Sequence, residues 1–271
     1  MISILKTTAQ NGFSLELNTK TVPTEQITKN ETGIGLTFYK NTDAKNKITN
    51  SLSYKNTGLS YNLDNYYSST NKTNFNRIEN KLELSHQFNQ KIALNFEFTM
   101  VAGFENNLGF SDVNFFGGTA IQYAHNEKSN ISLGVKRMSI FRKAQILPVI
   151  AFNSQLNTNT AVTIGFPNSS IRYSNNKRNT FSLTNTFEGE YYRLDNTKTI
   201  SPNLSADTMS FSQMTTALEY ERNVDHNWYM NFQVGYGFNK NYRLSDNRGT
   251  TKFNFDANDG YLFSIGIKYK Q

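Results

Sequence analysis

Residues 228–238, WYMNFQVGYGF, alternate between large apolar side chains and polar or small ones. Amides and glycines dominate one face, and the other face carries six large apolar residues: Trp228, Met230, Phe232, Val234, Tyr236 and Phe238. Because successive side chains of a strand point to opposite faces of a sheet, this period of two predicts a strand with two different environments. The pattern returns in residues 92–101 and 260–269.

The strand predicted between Phe75 and Phe88 indicates which environments these are. Arg77, Glu79, Lys81 and Glu83 stand at alternate positions and therefore share one face. A basic residue at the midplane of a bilayer costs roughly 2–4 kcal/mol, so this face cannot meet lipid. These charges could face a water-filled lumen, where neighbouring residues of opposite sign could also pair with one another. A soluble sheet with one solvated face is the alternative interpretation of the row.

Strand length favours the membrane interpretation. The alternating segments 92–101 and 228–238 exceed the about 5–6 residues typical of soluble sheets and match the about 9–11 that a tilted membrane strand needs. We therefore predict an all-β fold, a closed antiparallel up-and-down transmembrane β-barrel of about 12 strands, with about 14 as the alternative. The count is least constrained between residues 140 and 180, where Pro148 and Pro167 interrupt the alternation.

Short and long connections are predicted to alternate along the chain. Short turns rich in asparagine lie at residues 87–91, 125–128, 156–159 and 222–226, and longer polar stretches lie at 20–32, 64–74, 104–114, 193–207 and 239–259. Short turns at one end and long loops at the other are typical of outer-membrane barrels. We therefore expect a protein of the bacterial outer membrane, surrounded by the lipid bilayer.

Composition excludes several other classes of protein. The chain of 271 residues has no cysteine, which rules out disulfides, zinc–thiolate sites and thiol nucleophiles. The net charge of +7 comes from lysines and arginines scattered along the chain, so we expect no nucleic-acid partner. The mean hydropathy of −0.59 agrees with a membrane barrel because only every second residue of each strand meets lipid.

The chain shows no linker and no shift of composition, so we predict a single outer-membrane barrel domain over residues 11–271. Residues 1–10 are interpreted as the residual tail of an export signal or as a flexible terminus. The final strand, with Gly260 followed by alternating apolar residues, resembles the C-terminal signal by which such barrels are recognised for insertion. It departs from that signal in ending on Gln271 rather than an aromatic residue. The barrel-insertion machinery is therefore an expected partner.

Residues 144–192 carry a more specific pattern. Leu147-Pro148 lies in a predicted strand, Gly165-Phe166-Pro167 follows it, and Tyr173 comes downstream. In these features the chain resembles a family of uncharacterised outer-membrane β-barrels common in Bacteroidota, a domain of unknown function with a Gly-Phe-Pro strand motif. The resemblance implies fold and location, and it carries over no activity and no functional residue.

The sequence offers no catalytic, cofactor-binding or metal-binding constellation, so we expect a protein that is not an enzyme. The three histidines, His86, His125 and His226, all lie at or beside predicted short turns, where a solvated role is favoured. The residues that remain for function are charges on the predicted inward faces. The candidate lumen-lining residues are Arg77, Glu79, Lys81, Glu83, Glu97, Lys136, Glu188, Glu190, Glu219 and Lys268.

Two functions fit this set. The first is a passive or weakly selective pore for small solutes, because both signs of charge line the inward faces. The second is a closed structural or accessory barrel that binds a partner protein or a polysaccharide through its extracellular loops, which carry aromatic residues such as Tyr66 and Tyr67. A barrel of about 12 strands lies between the filled 8-stranded and the open 16-stranded cases, so strand number leaves both functions open.

Overall fold

The computed structural model describes residues 11–61, 72–139, 144–201, 204–246, 248–255 and 257–271. The predicted terminal segment 1–10 and much of the predicted 64–74 loop, with Tyr66 and Tyr67, lie outside the described residues. Within the described ranges, no helix is long and apolar enough to cross a membrane. The regular structure of these residues consists of strands and one 3-10 helix, at Phe110–Asp112.

Fifteen strands follow one another in the part of the chain that the structure describes. They are β1 (Asn11–Val22), β2 (Ile27–Asn41), β3 (Asn46–Tyr61), β4 (Lys72–Gln87), β5 (Ile92–Phe104), β6 (Val113–Asn126), β7 (Ser129–Met138), β8 (Gln145–Gln155), β9 (Thr160–Phe166), β10 (Asn168–Ser174), β11 (Asn179–Ser201), β12 (Leu204–Asp225), β13 (Trp228–Ser245), β14 (Thr251–Phe255) and β15 (Gly260–Lys270).

Antiparallel pairing of neighbouring strands closes the sheet into a barrel. β1 pairs with β15 from Ser14 opposite Lys270 to Thr21 opposite Phe263, and β15 pairs in turn with β13. The short β14 pairs only with the C-terminal part of β13 and is not one of the strands that form the barrel wall. Fourteen strands therefore form the barrel. The predicted closed antiparallel fold is confirmed, with the higher of the two expected strand counts.

Connections of two to four residues join the strands at one end of the barrel, which we call the short-turn end. An Asn or Asp side chain organises all six of these turns by accepting a hydrogen bond from an amide further along the turn. Asn89 Oδ1, for example, accepts from the amides of Lys91 and Ile92 at 2.8 and 2.9 Å. The other end, the long-loop end, carries most of the longer connections. The asparagine-rich turns read from the sequence are thus explained by local hydrogen bonds.

The difficult region between residues 140 and 180 holds an unusually tight hairpin at the long-loop end. Pro148 lies within β8, opposite Val135, whereas Pro167 is the single residue between β9 and β10. Both prolines interrupt the alternation in the sequence, so the pattern does not distinguish Pro148, which stays within a strand, from Pro167, at which the chain reverses. The reversal adds a strand and places residues 105–112 at the long-loop end.

Large apolar side chains cover the outside of the barrel. Leu133, Ile164 and Phe263 are 55%, 62% and 50% exposed, and similar residues occur on all fourteen strands of the wall. A continuous apolar surface of this kind would cause aggregation in water, but it is what a membrane-spanning barrel presents to lipid. The inward positions are polar, which confirms the predicted polarity of the two faces.

The long strands β11 and β12 do not follow the wall to their ends. β11 is paired with β10 as far as Thr186, and beyond this point it crosses the barrel and pairs in parallel with β5, at Arg193 opposite Phe104. The crossing is close, because a Cβ at Gly103 would overlap the carbonyl oxygen of Tyr191. Residues 193–201 and 204–207 of the predicted 193–207 loop, and residues 239–245 of the predicted 239–259 loop, are therefore strand residues.

The crossing divides the long-loop end into two parts. One part, the filled lobe, is enclosed by β1–β5, β11–β13 and β15, and a buried apolar cluster occupies it. Its members are Ile27, Leu59, Tyr61, Phe75, Tyr192, Leu194, Ala206, Met209, Phe211, Tyr242, Leu244 and Phe255. The other part, the side lobe, lies between the crossing strands and the ends of β6–β10.

Aromatic rings join the two sides of the filled lobe. Phe75 on β4 packs against Tyr192 on β11 with ring centroids 4.9 Å apart, and Phe211 on β12 packs against Tyr242 on β13 at 4.8 Å. Phe75 and Tyr192 have no exposed surface. Burial of this kind contributes roughly 1.5–3 kcal/mol per large side chain, so the filled lobe is a true hydrophobic core inside a barrel.

Leu133→Lys tests the lipid-facing assignment against Ser132→Lys, its inward neighbour on β7. We expect Leu133→Lys to lower the free energy of unfolding by about 2–4 kcal/mol if residue 133 lies near the bilayer midplane, whereas Ser132→Lys places its charge towards the polar interior and has a much smaller effect. Urea unfolding in lipid vesicles measures both. Equal losses would contradict the assignment.

Gly103→Ala tests the crossing. The added Cβ collides with backbone of β11, so we expect a loss of about 1–3 kcal/mol of stability and faster proteolysis of the β11–β12 hairpin. Gly35→Ala is the matched control, since its Cβ would lie 3.9 Å from the nearest atom. If the two variants behave alike, the contact does not hold the hairpin in place.

Candidate functional site

The barrel interior below the filled lobe is a charged cavity of about 830 Å³. Six of the ten predicted lumen residues line it: Arg77, Glu79, Glu188, Glu190, Glu219 and Lys268. Glu83, Glu97 and Lys136 line an adjoining space of about 500 Å³, and Lys81 pairs with Glu83 at 3.3 Å. All ten side chains belong to inward faces, while their role in a pore stays a prediction.

An ion network crosses the interior from β11 to β2 and β3. Lys29 Nζ lies 3.3 Å from a carboxylate oxygen of Glu190 and 2.8 Å from Glu31, and Lys55 contacts both of the same carboxylates. A second link joins Lys20 on β1 to Glu188 on β11 at 3.2 Å. Each buried charge has opposite charges beside it, as burial requires.

The sequence pattern misses four of the six residues of this network. Lys29 and Glu31 fall within residues 20–32, which the sequence predicts to be a polar loop, but the structure extends β2 back to Ile27. The alternation of Lys29 and Glu31 with Ile27 was the available signal, since all three occupy one face. Lys20 and Lys55 were missed because single charges in weakly alternating strands do not stand out.

The charges around the cavity are almost balanced. Seven acidic and six basic side chains line it, and the remaining lining residues are mostly Asn, Gln, Ser and Thr. Several acids are held by neutral donors as well, as Glu219 accepts from Gln233 Nε2 at 2.9 Å. A cavity with both signs at close range has no strong net field, so it is suited to water and small polar solutes of either charge.

The filled lobe rests directly on the ion network. Tyr192 donates its hydroxyl to Glu190 at 3.0 Å, and Lys29 Nζ lies 5.1 Å from the centre of the Phe211 ring. Polar groups at the edge of the apolar cluster are thereby satisfied. The two layers together occupy the space above the cavity on this side of the barrel.

A second cavity of about 970 Å³ lies in the side lobe. The inward side chains Asn114 and Phe116 of β6 form one wall, and Tyr191, Ser210 and Ser212 of the crossing hairpin face them. We call this space the groove. It reaches the exposed residues Arg248 and Gly249 of the connection between β13 and β14, and so it opens at the long-loop end.

The loop at the rim of the groove is held by Asp246. The amide of Thr250 donates to its carboxylate at 2.8 Å, Arg248 N donates at 2.9 Å, and Lys252 Nζ lies 3.1 Å away. The Thr250 amide, helped by Lys252 and Arg248, holds the pKa of this carboxyl below its ordinary value. Asp246 is therefore a structural anion at neutral pH.

The three histidines lie apart from one another at the short-turn end. His86 Nδ1 lies 2.7 Å from Asn46 Oδ1, and His226 forms an exposed pair with Asp225 at 3.0 Å in the turn after β12. Among the described residues, no group of three His, Asp or Glu side chains is arranged to hold a metal ion.

Glu190→Gln tests the ion network, because glutamine cannot neutralise Lys29 and Lys55. We expect a loss on the order of 3 kcal/mol in the free energy of unfolding, measured by urea titration of the refolded barrel. Glu221→Gln is the control. Its partner Lys270 lies 3.2 Å away in a half-exposed pair, for which the loss is below about 1 kcal/mol. Similar losses would show that the network is not buried.

Solved structures with a similar fold are outer-membrane barrels. The chain is similar to an outer membrane channel from Pseudomonas putida F1, with a TM-score of 0.54 and 9% identity over 97% of this chain and 95% of that one. Weaker likenesses, with TM-scores of 0.47 and 0.39 and 10% identity each, are found to a mutant of the TodX monoaromatic hydrocarbon channel and to the KdgM porin. They cover 96% and 94% of this chain, and 90% and 98% of those chains.

No curated protein matches the chain in sequence. A family model, described as a domain of unknown function (DUF6268), matches residues 9–270. The match spans the whole barrel, from the start of β1 to the end of β15. The chain therefore belongs to the DUF6268 family, and its fold is that of an outer-membrane β-barrel.

Proposed function

We propose that the protein is an outer-membrane channel that passes small polar solutes passively and with weak charge selectivity. The observation that carries the proposal is the cavity of about 830 Å³, lined by seven acidic and six basic residues, inside a barrel whose outside is apolar. A sealed structural barrel would be filled by side chains, as 8-stranded barrels are. Here the space remains, and its wall is polar.

The balance of charge explains why selectivity would be weak. A cation that enters the cavity meets Glu219 and Glu221 close to Lys268 and Lys270. An anion meets the same four residues, so each ion meets charges of both signs. Neither ion gains a large electrostatic advantage, because the fields of neighbouring charges of opposite sign largely cancel. The Pseudomonas putida barrel of similar fold is described as an outer membrane channel, which agrees with the proposal.

Several narrower expectations belong to the proposal. We infer that β15 carries the signal for the insertion machinery, that the protein has no enzymatic activity, and that the Gly-Phe-Pro motif marks a Bacteroidota source. Gly165 and Phe166 end β9 and Pro167 joins it to β10, which gives the motif a structural reason. A protein or glycan partner at the long-loop end also remains a proposal.

A second candidate is the closed accessory barrel, and one observation favours it. The filled lobe leaves Phe75, Tyr192 and Phe255 at 0–2% exposure, so the part of the barrel mouth that it occupies is sealed. A barrel sealed across its whole mouth would act through its loops rather than by transport. The two candidates differ in whether the protein conducts ions.

Single-channel recording in a planar bilayer tests the channel. We expect discrete conductance steps and a reversal potential close to zero in a salt gradient, because the cavity charges are nearly balanced. A silent bilayer, with a heat-modifiable folded band on a gel, would contradict the proposal and favour the accessory barrel.

The double substitution Glu219→Gln and Glu221→Gln tests whether solutes meet the cavity charges. Removing two carboxylates leaves an excess of basic residues, so we expect the reversal potential to move towards anion preference at unchanged folding. Glu127→Gln, in an exposed short turn, is the control and leaves the reversal potential unchanged. A double variant that behaves like the control would place the ion path elsewhere.

A further inference from the structure

We propose that solutes cross the long-loop end through the side lobe, along the inner faces of β6–β8, and not along the barrel axis. This inference rests on the proposed channel function and specifies its route. It follows from the way in which β11 divides the barrel mouth.

The first step is the division itself. β11 leaves the wall after Thr186, where Phe187 N still donates to the carbonyl of Pro167 at 3.3 Å, and it reaches β5 at Phe104. The wall of β6–β10 continues around the other side of this crossing segment. The mouth therefore has two halves, separated by one strand.

The second step is that, among the described residues, packed side chains fill one half. Phe75, Tyr192 and Phe211 pack ring against ring, with exposures of 0%, 0% and 3%. Below them, Glu190 joins Lys29 and Lys55 across the same half. An axial solute would have to displace a hydrophobic core and then separate buried ion pairs.

The third step is continuity along the other half. On β6, the inward residues Asn114 and Phe116 line the groove, and the next inward residues, Gly118 and Ala120, line the lower interior. The two following strands show the same arrangement. Ser139, just after β7, lines the groove and Lys136 on β7 lines the lower interior. On β8, Gln145 lines the groove and Val149 lines the lower interior. Groove and lower interior thus adjoin along the same inner wall, where the buried side chain of Met138 lies between them on β7.

The narrowest part of this route is formed by few side chains. Ser139 Oγ lies 3.4 Å from the carbonyl oxygen of Gly189, where the end of β7 approaches the crossing strand, and Phe116 lies beside it on the groove wall. A long hydrogen bond, the Phe116 ring and the neighbouring Met138 side chain are a smaller obstacle than the twelve buried residues of the filled lobe. We assign this point as the constriction of the channel.

The lining of the groove indicates the class of solute. Amide and hydroxyl groups predominate, as in Asn114, Ser210, Ser212 and Asn241, and Arg243 is held by Asn241 at 2.8 Å and Asn254 at 3.2 Å. Such groups form hydrogen bonds without selecting a charge. The route therefore suits small uncharged polar solutes as well as ions.

Because the chain has no cysteine, single thiols can be placed along each route. Ser139→Cys lies at the constriction, Ser182→Cys lies in the central cavity as a positive control, and Thr57→Cys lies in the filled lobe, where residue 57 has no exposed surface. Each refolded variant is recorded in a planar bilayer before and after a small cationic methanethiosulfonate reagent, and mass spectrometry reports whether the thiol has reacted.

We expect the reagent to lower the conductance of Ser139→Cys and Ser182→Cys by roughly half or more, because the added group narrows the passage, and to leave Thr57→Cys unchanged. A conducting wild type in which Ser139→Cys reacts without loss of conductance, or in which Thr57→Cys is blocked, would overturn the route alone. A wild type that does not conduct would overturn the channel function and the route together.

As a second measurement, Phe116→Ala should raise the conductance, and a conductance that is unchanged or lower would also overturn the route.

Discussion

The close approach of β11 to β5 is the constraint on which the interior depends. Tyr191 can lie against β5 only because residue 103 is glycine. This contact draws the β11–β12 hairpin across the mouth, creates the filled lobe on one side and leaves the groove on the other. In a barrel whose strands all followed the wall, the same cross-section would be one wide lumen.

The ion network and the apolar cluster together provide the packing partners of the hairpin that crosses the barrel. A hairpin that crosses a polar lumen exposes two faces to it, and each face needs partners. Glu188 and Glu190 meet lysines of β1–β3, and the residues above them, beginning with Tyr192, meet the aromatic cluster. The change from charged to apolar inward residues along β11 therefore marks the level at which the lumen ends and the core begins.

Local patterns in the sequence predicted most of the wall and little of the interior architecture. Alternation identified β5, β13 and β15, and the charged row of β4 assigned the two faces, because these signals depend only on neighbouring residues. The sequence pattern did not reveal the hairpin at Pro167, because only one residue connects its two strands. The crossing of β11 was hidden because Gly103 and Tyr191 are far apart in the chain, and no local pattern records their contact. The predicted lumen residues consequently appeared as isolated rows rather than as a network.

The filled lobe also changes how this barrel can assemble. In a simple barrel each strand contacts only its two neighbours, so stability grows strand by strand, much as in a repeat protein. Here Phe75 on β4 packs against Tyr192 on β11, residues separated by more than a hundred positions. Such long-range contacts form only after the intervening strands are in place, which ties early and late strands into one cooperative unit and slows folding relative to a barrel of the same size. The strands of the C-terminal part, β11 to β13, therefore complete the core as well as the wall.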